Sequence, residues 1–224
     1  MTTTTTHTKQ ERAMTTDAPP AAPPTGDGTD APEEQGPPPW LAWPTAFMEH
    51  VDDVCSTPGG RSDLASGRSL RDLAEPWRML PHLRSRIPGP HPDTKLAYLA
   101  VAGMYAAQAP NPALARERPV LYDPAIGNFG WTLAWAADTG VLRETGTTEL
   151  LQHLARQRSL TSLLRNLQPV IRQLGNDHAP LSWPRLLRDL SRWPRYRTKV
   201  ADEWMDGRYT RTPHTPTLLQ EPAA

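Results

Sequence analysis

The segment 182–197 contains arginines whose spacing suits the binding of an anion. Arg185, Arg188 and Arg192 recur at i, i+3 and i+7, a spacing that places all three on one side of an α-helix. The planar guanidinium group donates paired hydrogen bonds to a phosphate or a carboxylate. Because like charges on one helix face repel one another, this outward stripe suits a negatively charged partner without establishing one. An ordinary solvated face is the alternative.

The opposite side of the same helix predicts a contact with the core. Apolar residues recur there at the i, i+3, i+4 and i+7 spacing of a buried stripe, and Ser182 is the predicted N-cap. The stripe consists of Trp183, Leu186, Leu187, Leu190 and Trp193. One half of this helix is therefore structural, whatever the arginines bind.

Further basic residues occur on several other predicted helices and connections. Arginines contributed by separate helices could form a broad surface that neutralises phosphates and reads little base sequence. The residues in question are Arg61, Arg68, Arg71, Arg78, Arg84, Arg86, Lys95, Arg156, Arg158, Arg165, Arg172, Arg195 and Arg197.

Catalytic and metal-binding patterns are missing from the sequence. It contains no glycine-rich phosphate loop, no HExxH and no CxxC. Cys55 lies beside Asp52 and Asp53, whose charge disfavours a thiolate, so it is interpreted as a buried structural thiol and the two acids as a solvated face. His50 and Asp53 are the one near pair with metal-ligand character, and we predict no metal there. The sequence predicts a binding or structural protein without catalytic residues or cofactor.

The charge is unevenly distributed although the formal net charge of the 224 residues is zero. Residues 1–39 contain two basic and six acidic side chains, a net charge of −4. Residues 58–224 contain 22 basic and 15 acidic side chains, a net charge of +7. A basic body behind an acidic leader favours a polyanionic partner.

Composition divides the chain into three parts. Residues 1–39 are rich in Thr, Pro, Gly and acid and are predicted to be a disordered leader. Residues 40–213 are predicted to form one helical domain, and residues 214–224 a flexible tail. The single cysteine fits a reducing cytoplasm, and no apolar stretch is long enough to cross a bilayer.

The periodicity predicts an all-α, compact multi-helix bundle. The first helix begins at Trp40, with Trp43, Phe47, Val51 and Val54 on one face and Pro44 in the first turn. The helix 93–107 is predicted to be central and most buried, with Asp93 as N-cap and a close-packing face of Ala97, Ala100, Gly103 and Ala107. Two proline effects are also expected: Pro81 ends the helical stretch 70–80, and Pro169 kinks or shortens a helix that starts near residue 160.

The order of these elements resembles the small subunit of the type I-E CRISPR Cascade complex, the CasB family. The similarity extends from about Trp40 to Tyr209. The segments that carry it are LRDLAEPWRML, LAYLAVAGMYA, NFGWTLA, LLRNLQPVIRQL, LSWPRLLRDLSRWPR and VADEWMDGRY. The resemblance implies a helical, non-catalytic subunit present as a pair beside the guide RNA and the backbone and large subunits. It implies that the subunit holds the target strand and the displaced strand of the R-loop while base pairing reads the sequence.

The resemblance also assigns individual positions. It implies nucleic-acid contacts at Arg158, Arg165 and Arg195, with Lys95 near a further basic position. Arg71 and Arg78 match a segment where they could serve packing instead. Together with the neighbouring cations, the predicted nucleic-acid-binding residues are Arg61, Arg68, Arg78, Lys95, Arg156, Arg158, Arg165, Arg195 and Arg197.

Two pairs of positions depart from the family pattern. Ala65 and Ser66 stand where relatives often have paired arginines, and Thr147 and Thr148 stand where basic residues are expected.

Two alternative functions remain open at this point. The first is a helical scaffold or regulator that binds acidic protein partners. The second, a helix-turn-helix repressor, is disfavoured by the prolines in the segment 160–187.

Overall fold

The computed structural model describes residues 36–108 and 121–210, and within these ranges the chain is helical with no β-strand. This confirms the predicted all-α class. The helices are α1 (Pro39–Cys55), α2 (Pro58–Ala65), α3 (Leu70–Ala74), α4 (Leu80–Leu83), α5 (Pro92–Ala107), α6 (Phe129–Asp138), α7 (Glu144–Ala155), α8 (Leu160–Asn176) and α9 (Trp183–Tyr209), with a 3-10 turn at Arg84–Arg86. The predicted leader, apart from its last residues, and the predicted tail lie outside the described residues, as does most of the loop between α5 and α6.

Helix α5 is central, as its small residues predicted. It packs against α1, α2, α8 and α9, and Ala97, Ala100 and Gly103 are buried. A Cβ atom on Gly103 would lie 2.6 Å from the carbonyl oxygen of Gly67, so glycine is what lets the end of α2 approach. Two details differ from the prediction: Ala107 is exposed, and the N-cap is His91 rather than Asp93.

Prolines interrupt this fold less than the sequence predicted. Pro44 lies inside α1, past the first turn, and Pro81 lies at the start of α4 rather than ending a helix. Helix α8 continues through Pro169 to Asn176, so the predicted shortening is wrong. Pro169 has no N–H to donate to the carbonyl of Arg165, so that carbonyl loses its helical hydrogen bond. Because Pro169 is exposed, the carbonyl lies on the solvent side of α8, where water can hydrate it.

The first helix buries only part of its predicted face. Phe47 and Val51 are in the core, whereas Trp43 is 53% exposed. Among the described residues, no helix is both long and apolar enough to cross a membrane.

Helix α9 is bent at Tyr196, whose φ of −131° and ψ of 33° are non-helical. Pro194 explains the bend, because it removes a backbone donor two residues earlier. The two halves of α9 then contact each other: Trp204 packs on Trp193 with ring centroids 5.4 Å apart. Phe129 of α6 covers the same ring, which joins both halves of α9 to the core.

Candidate nucleic-acid interface

The arginine stripe of α9 does not face outward as the sequence predicted. Arg192 donates two hydrogen bonds to the Glu203 carboxylate, at 3.0 and 3.2 Å, and Arg188 lies 3.5 Å from the same group. Glu203 comes from the other half of the bent helix. Partial burial raises the pKa of Glu203, but the hydrogen bonds and positive charge of the two arginines outweigh it, and the net shift is downward. Arg188 and Arg192 therefore form an internal ion-pair network with Glu203, and this network relieves their mutual repulsion without a ligand.

Beneath this network lies a buried carboxylate. Asp189 is 2% exposed and accepts a 2.7 Å hydrogen bond from the indole nitrogen of Trp204. Burial raises the pKa of Asp189 to about 6, against the opposing effect of the Trp204 hydrogen bond and the Arg188 charge. The hydrogen bond between Asp189 and Trp204 therefore connects the two halves of α9 within the core.

The remaining stripe residue, Arg185, stacks on aromatic rings. Its guanidinium lies 5.6 Å from the Trp40 ring centroid and 6.0 Å from that of Tyr122, and Arg188 lies over the same tryptophan at 4.4 Å. The Nε of Arg185 is buried without a hydrogen-bond partner among the described residues. These contacts attach the start of α1 to α9 through cation–π interactions.

The bend of α9 places a second set of cations at the surface. Arg195 is exposed and Tyr196 is 55% exposed, with Arg197 beside them. Neither Arg195 nor Arg197 pairs with another described residue. We call Arg195, Tyr196 and Arg197 the corner. An exposed aromatic ring between guanidinium groups is suited to stacking a base next to a bound phosphate.

A third set of arginines follows α8. Arg165 and Arg172 are exposed seven residues apart, which places them on the same helix face about 10 Å apart. Arg156 and Arg158 are exposed in the connection just before α8. None of the four pairs with a described acidic residue. We call Arg156, Arg158, Arg165 and Arg172 the α8 surface.

Two predicted site residues have internal partners instead. Arg61 donates hydrogen bonds to the carbonyls of Ala106 and Gln108, at 3.4 and 3.0 Å, and so caps the end of α5. Arg78 donates two hydrogen bonds to Asp63, at 2.7 and 3.0 Å.

The last two predicted residues are exposed. Lys95 lies in the first turn of α5, and Arg68 follows α2 and lines a groove together with Arg172. The structure thus joins Arg68 to the α8 surface. Sequence reasoning could not separate these arginines from Arg61 and Arg78, because the partners of the latter two come from elsewhere in the chain.

The residues weighed for catalysis or metal binding have structural contacts. Cys55 is buried, as predicted, and burial raises its pKa to about 11. His50 lies 2.8 Å from the carbonyl of His82 through its Nε2. Asp52 is buried and accepts a 2.6 Å hydrogen bond from Tyr105, so the predicted solvated face is wrong for this residue.

Comparison with known proteins decides the family. The family model described as CRISPR-associated protein Cse2 matches residues 60–209, two thirds of the chain. The chain belongs to the Cse2 family. The match ends at the last residue of α9, and it begins after α1, so the helix that carries Trp40 lies outside it.

Solved structures agree with the Cse2 assignment. A chain of a structure described as a CRISPR RNA-guided surveillance complex, pre-nicking, is 27% identical, with a TM-score of 0.64, and the alignment covers 75% of this chain and 92% of that one. A chain of another structure, described as a CRISPR RNA-guided surveillance complex, has the same identity and coverage with a TM-score of 0.60. The crystal structure of M. ruber CasB, at 21% identity, 75% and 92% coverage and a TM-score of 0.57, shares the fold. No curated protein matches the sequence significantly.

The structure shows the surroundings of Thr147, where the resemblance implied a basic residue. Thr147 is buried and accepts a hydrogen bond from Arg208, which also pairs with Glu144 at the start of α7. A basic side chain at position 147 would be buried against this arginine. Position 147, where the resemblance led us to expect a basic residue, is thus occupied by a buried threonine that packs beside the arginine from the end of α9.

The buried Asp189 predicts a specific pH dependence of stability. Its folded pKa of about 6 lies above the ordinary value of 3.8, so between these pH values the folded state holds a proton that the unfolded chain releases. The contribution of Asp189 is therefore most favourable below pH 4 and declines as pH rises to 6. The variant Asp189→Asn keeps the acceptor for Trp204 but has no carboxyl group to titrate. As the pH is raised from 4.5 to 6.5, we expect the unfolding free energy of this variant to rise by on the order of 2 kcal/mol relative to that of the parent.

Urea unfolding of both proteins at the two pH values measures this difference. Asp202→Asn serves as the control, because Asp202 is exposed on the same helix. The difference in unfolding free energy between Asp189→Asn and the parent could instead stay constant with pH, like that of the control. Asp189 would then have the same pKa in the folded and unfolded states, which would contradict the prediction.

Proposed function

We propose that this Cse2 family member is a non-catalytic subunit of the type I-E Cascade complex that binds nucleic acid without sequence preference. In this role it contacts the crRNA and both strands of the target DNA and stabilises the R-loop in antiviral defence. Its protein partners are the backbone and large subunits and a second copy of itself, and it acts in the cytoplasm. Family membership and the matching chains from surveillance complexes support this assignment.

The proposal rests on the difference between arginines that have an acidic partner and arginines that have none. Arg188 and Arg192 in the first half of α9 are neutralised by Glu203, whereas Arg195 and the four arginines of the α8 surface are exposed without a described acidic partner, and the half-buried Arg197 has none either. Unpaired surface arginines are the groups that release counterions when they neutralise phosphates. Their side chains meet backbone oxygens in any sequence, which fits a subunit that leaves sequence reading to base pairing.

Removing three of these cations tests the proposal. We expect the variant Arg158→Ala/Arg165→Ala/Arg195→Ala to bind single-stranded DNA more weakly and with a shallower salt dependence. Each lost phosphate contact lowers the slope of log affinity against log salt by about 0.7, so the slope should fall by about 2. Fluorescence anisotropy across a salt series measures both quantities, and in assembled Cascade the same variant should shorten the lifetime of the R-loop.

A charge-matched control separates specific contacts from net charge. Arg84, Arg86 and Arg143 are also exposed, but they lie in the 3-10 turn and before α7 and belong to neither the α8 surface nor the corner. Their triple alanine variant should keep most of the affinity and the R-loop lifetime. Equal losses in both variants, with circular dichroism unchanged, would contradict the assignment to the α8 surface and the corner. Binding of acidic proteins but not DNA would favour the scaffold alternative.

A further inference from the structure

A groove of about 450 Å³ opens between the end of α5 and the second half of α8. Its lining includes the buried apolar side chains of Met104 and Ile171. It is also lined by Arg68 and Arg172, both exposed and without a described acidic partner. The groove therefore combines an apolar floor with a positively charged rim, and it continues the α8 surface.

The groove also contains a polar group that the fold does not satisfy. Gln168 is 8% exposed, and its side-chain Nε2 is buried without a hydrogen-bond partner among the described residues. The neighbouring Gln108 differs, because its Nε2 donates to the carbonyl of Ile171 at 3.1 Å. A buried amide donor without a partner costs free energy, and an acceptor on a ligand in the groove would recover that cost.

We propose that this groove accepts one unstacked nucleotide of the bound single strand. The base lies over Met104 and Ile171, an acceptor on its edge pairs with Gln168, and the adjoining phosphate lies between Arg68 and Arg172. The inference rests on the proposed function, because the strand must first lie along the α8 surface. A base has an apolar face and acceptor atoms on its edge, which matches the floor and the amide together. An acidic side chain could pair with the arginines and the amide, but it has no flat apolar face to lie against Met104 and Ile171.

An abasic strand tests the groove separately from the arginine surface. The full chain is titrated with a labelled single-stranded DNA and with an abasic strand of equal length, which carries the same phosphates. We expect the strand with bases to bind more tightly. Gln168→Leu, which removes the unpartnered amide from a buried position, should weaken binding of that strand by about fivefold, the effect of one hydrogen bond. Its affinity for the abasic strand should not change.

A second variant blocks the groove without touching the core. Ala107 is exposed and lines the groove, so Ala107→Phe should fill it from the rim and cause the same selective loss. Thermal melting of both variants checks that the fold is retained.

The outcomes separate the groove from the proposed function. A selective loss in both variants supports the nucleotide pocket. Equal affinities of parent and variants for both strands would overturn it while leaving the arginine surface intact. Failure of the parent to bind either strand would refute the proposed function itself. Displacement of the strands by polyglutamate, with no dependence on bases, would assign the groove to an acidic protein instead and also overturn the proposal.

Discussion

A Gly130→Ala variant is expected to lose about 3–5 kcal/mol of unfolding free energy, enough to lower the melting temperature by about 10 °C. The reason is backbone proximity: a Cβ atom at position 130 would lie 1.7 Å from the carbonyl oxygen of Trp204 and 2.6 Å from its carbonyl carbon. Neither atom belongs to a flexible side chain. Helix α6 would have to move away from the second half of α9, and the packing of Phe129 on Trp204 would open with it.

Gly146→Ala provides the matched control for this experiment. Gly146 also lies inside a helix, α7, but a Cβ there would meet nothing closer than 3.9 Å. Only the higher helix propensity of alanine then matters, and the unfolding free energy of the variant should rise by up to about 1 kcal/mol. Urea unfolding distinguishes the two, and a Gly130→Ala protein as stable as the Gly146→Ala protein would contradict the close contact of α6 and α9.

A Trp204→Ala variant is expected to be destabilised by a similar amount, about 3–5 kcal/mol. Trp204 is fully buried between Trp193 and Phe129, so truncation leaves a large cavity. It also removes the hydrogen-bond donor of the buried Asp189, and an unpartnered buried carboxylate adds to the cost.

Two further variants divide this loss into its parts. Trp204→Phe retains most of the packing and removes the donor, so its expected cost is about 1–3 kcal/mol. Trp77→Ala removes the same side chain from a site that is 72% exposed and should change the stability by less than about 1 kcal/mol. If Trp204→Ala unfolded at the same urea concentration as Trp77→Ala, the central position of Trp204 would be wrong.

Periodicity predicted the core of this protein well because burial follows helical spacing. All five apolar residues predicted for the 182–197 segment are buried: Trp183, Leu186, Leu187, Leu190 and Trp193. The small residues of α5 likewise predicted its central place. These patterns are local, and they hold wherever a helix packs with one face on its neighbours.

Charge patterning was less informative, because the partner of an arginine need not be close in sequence. Arg192 meets Glu203 only because α9 bends at Tyr196, and no spacing rule for a straight helix brings these two together. Arg61 likewise caps α5 from α2. Which cations stay free for a ligand therefore depends on tertiary structure. The groove at Gln168 was missed for the same reason, since its walls belong to different helices.

The position of α9 also has a consequence for how the chain folds as it is synthesised. Helix α9 packs against α1, α5, α6 and α8, yet its residues leave the ribosome after all of those helices. The chain between Cys55 and Trp183 takes on the order of ten seconds to synthesise at about 5–20 residues per second. During that time the sides of α1, α5, α6 and α8 that pack against α9 lack its cover. The tertiary structure can therefore be completed only when α9 has emerged.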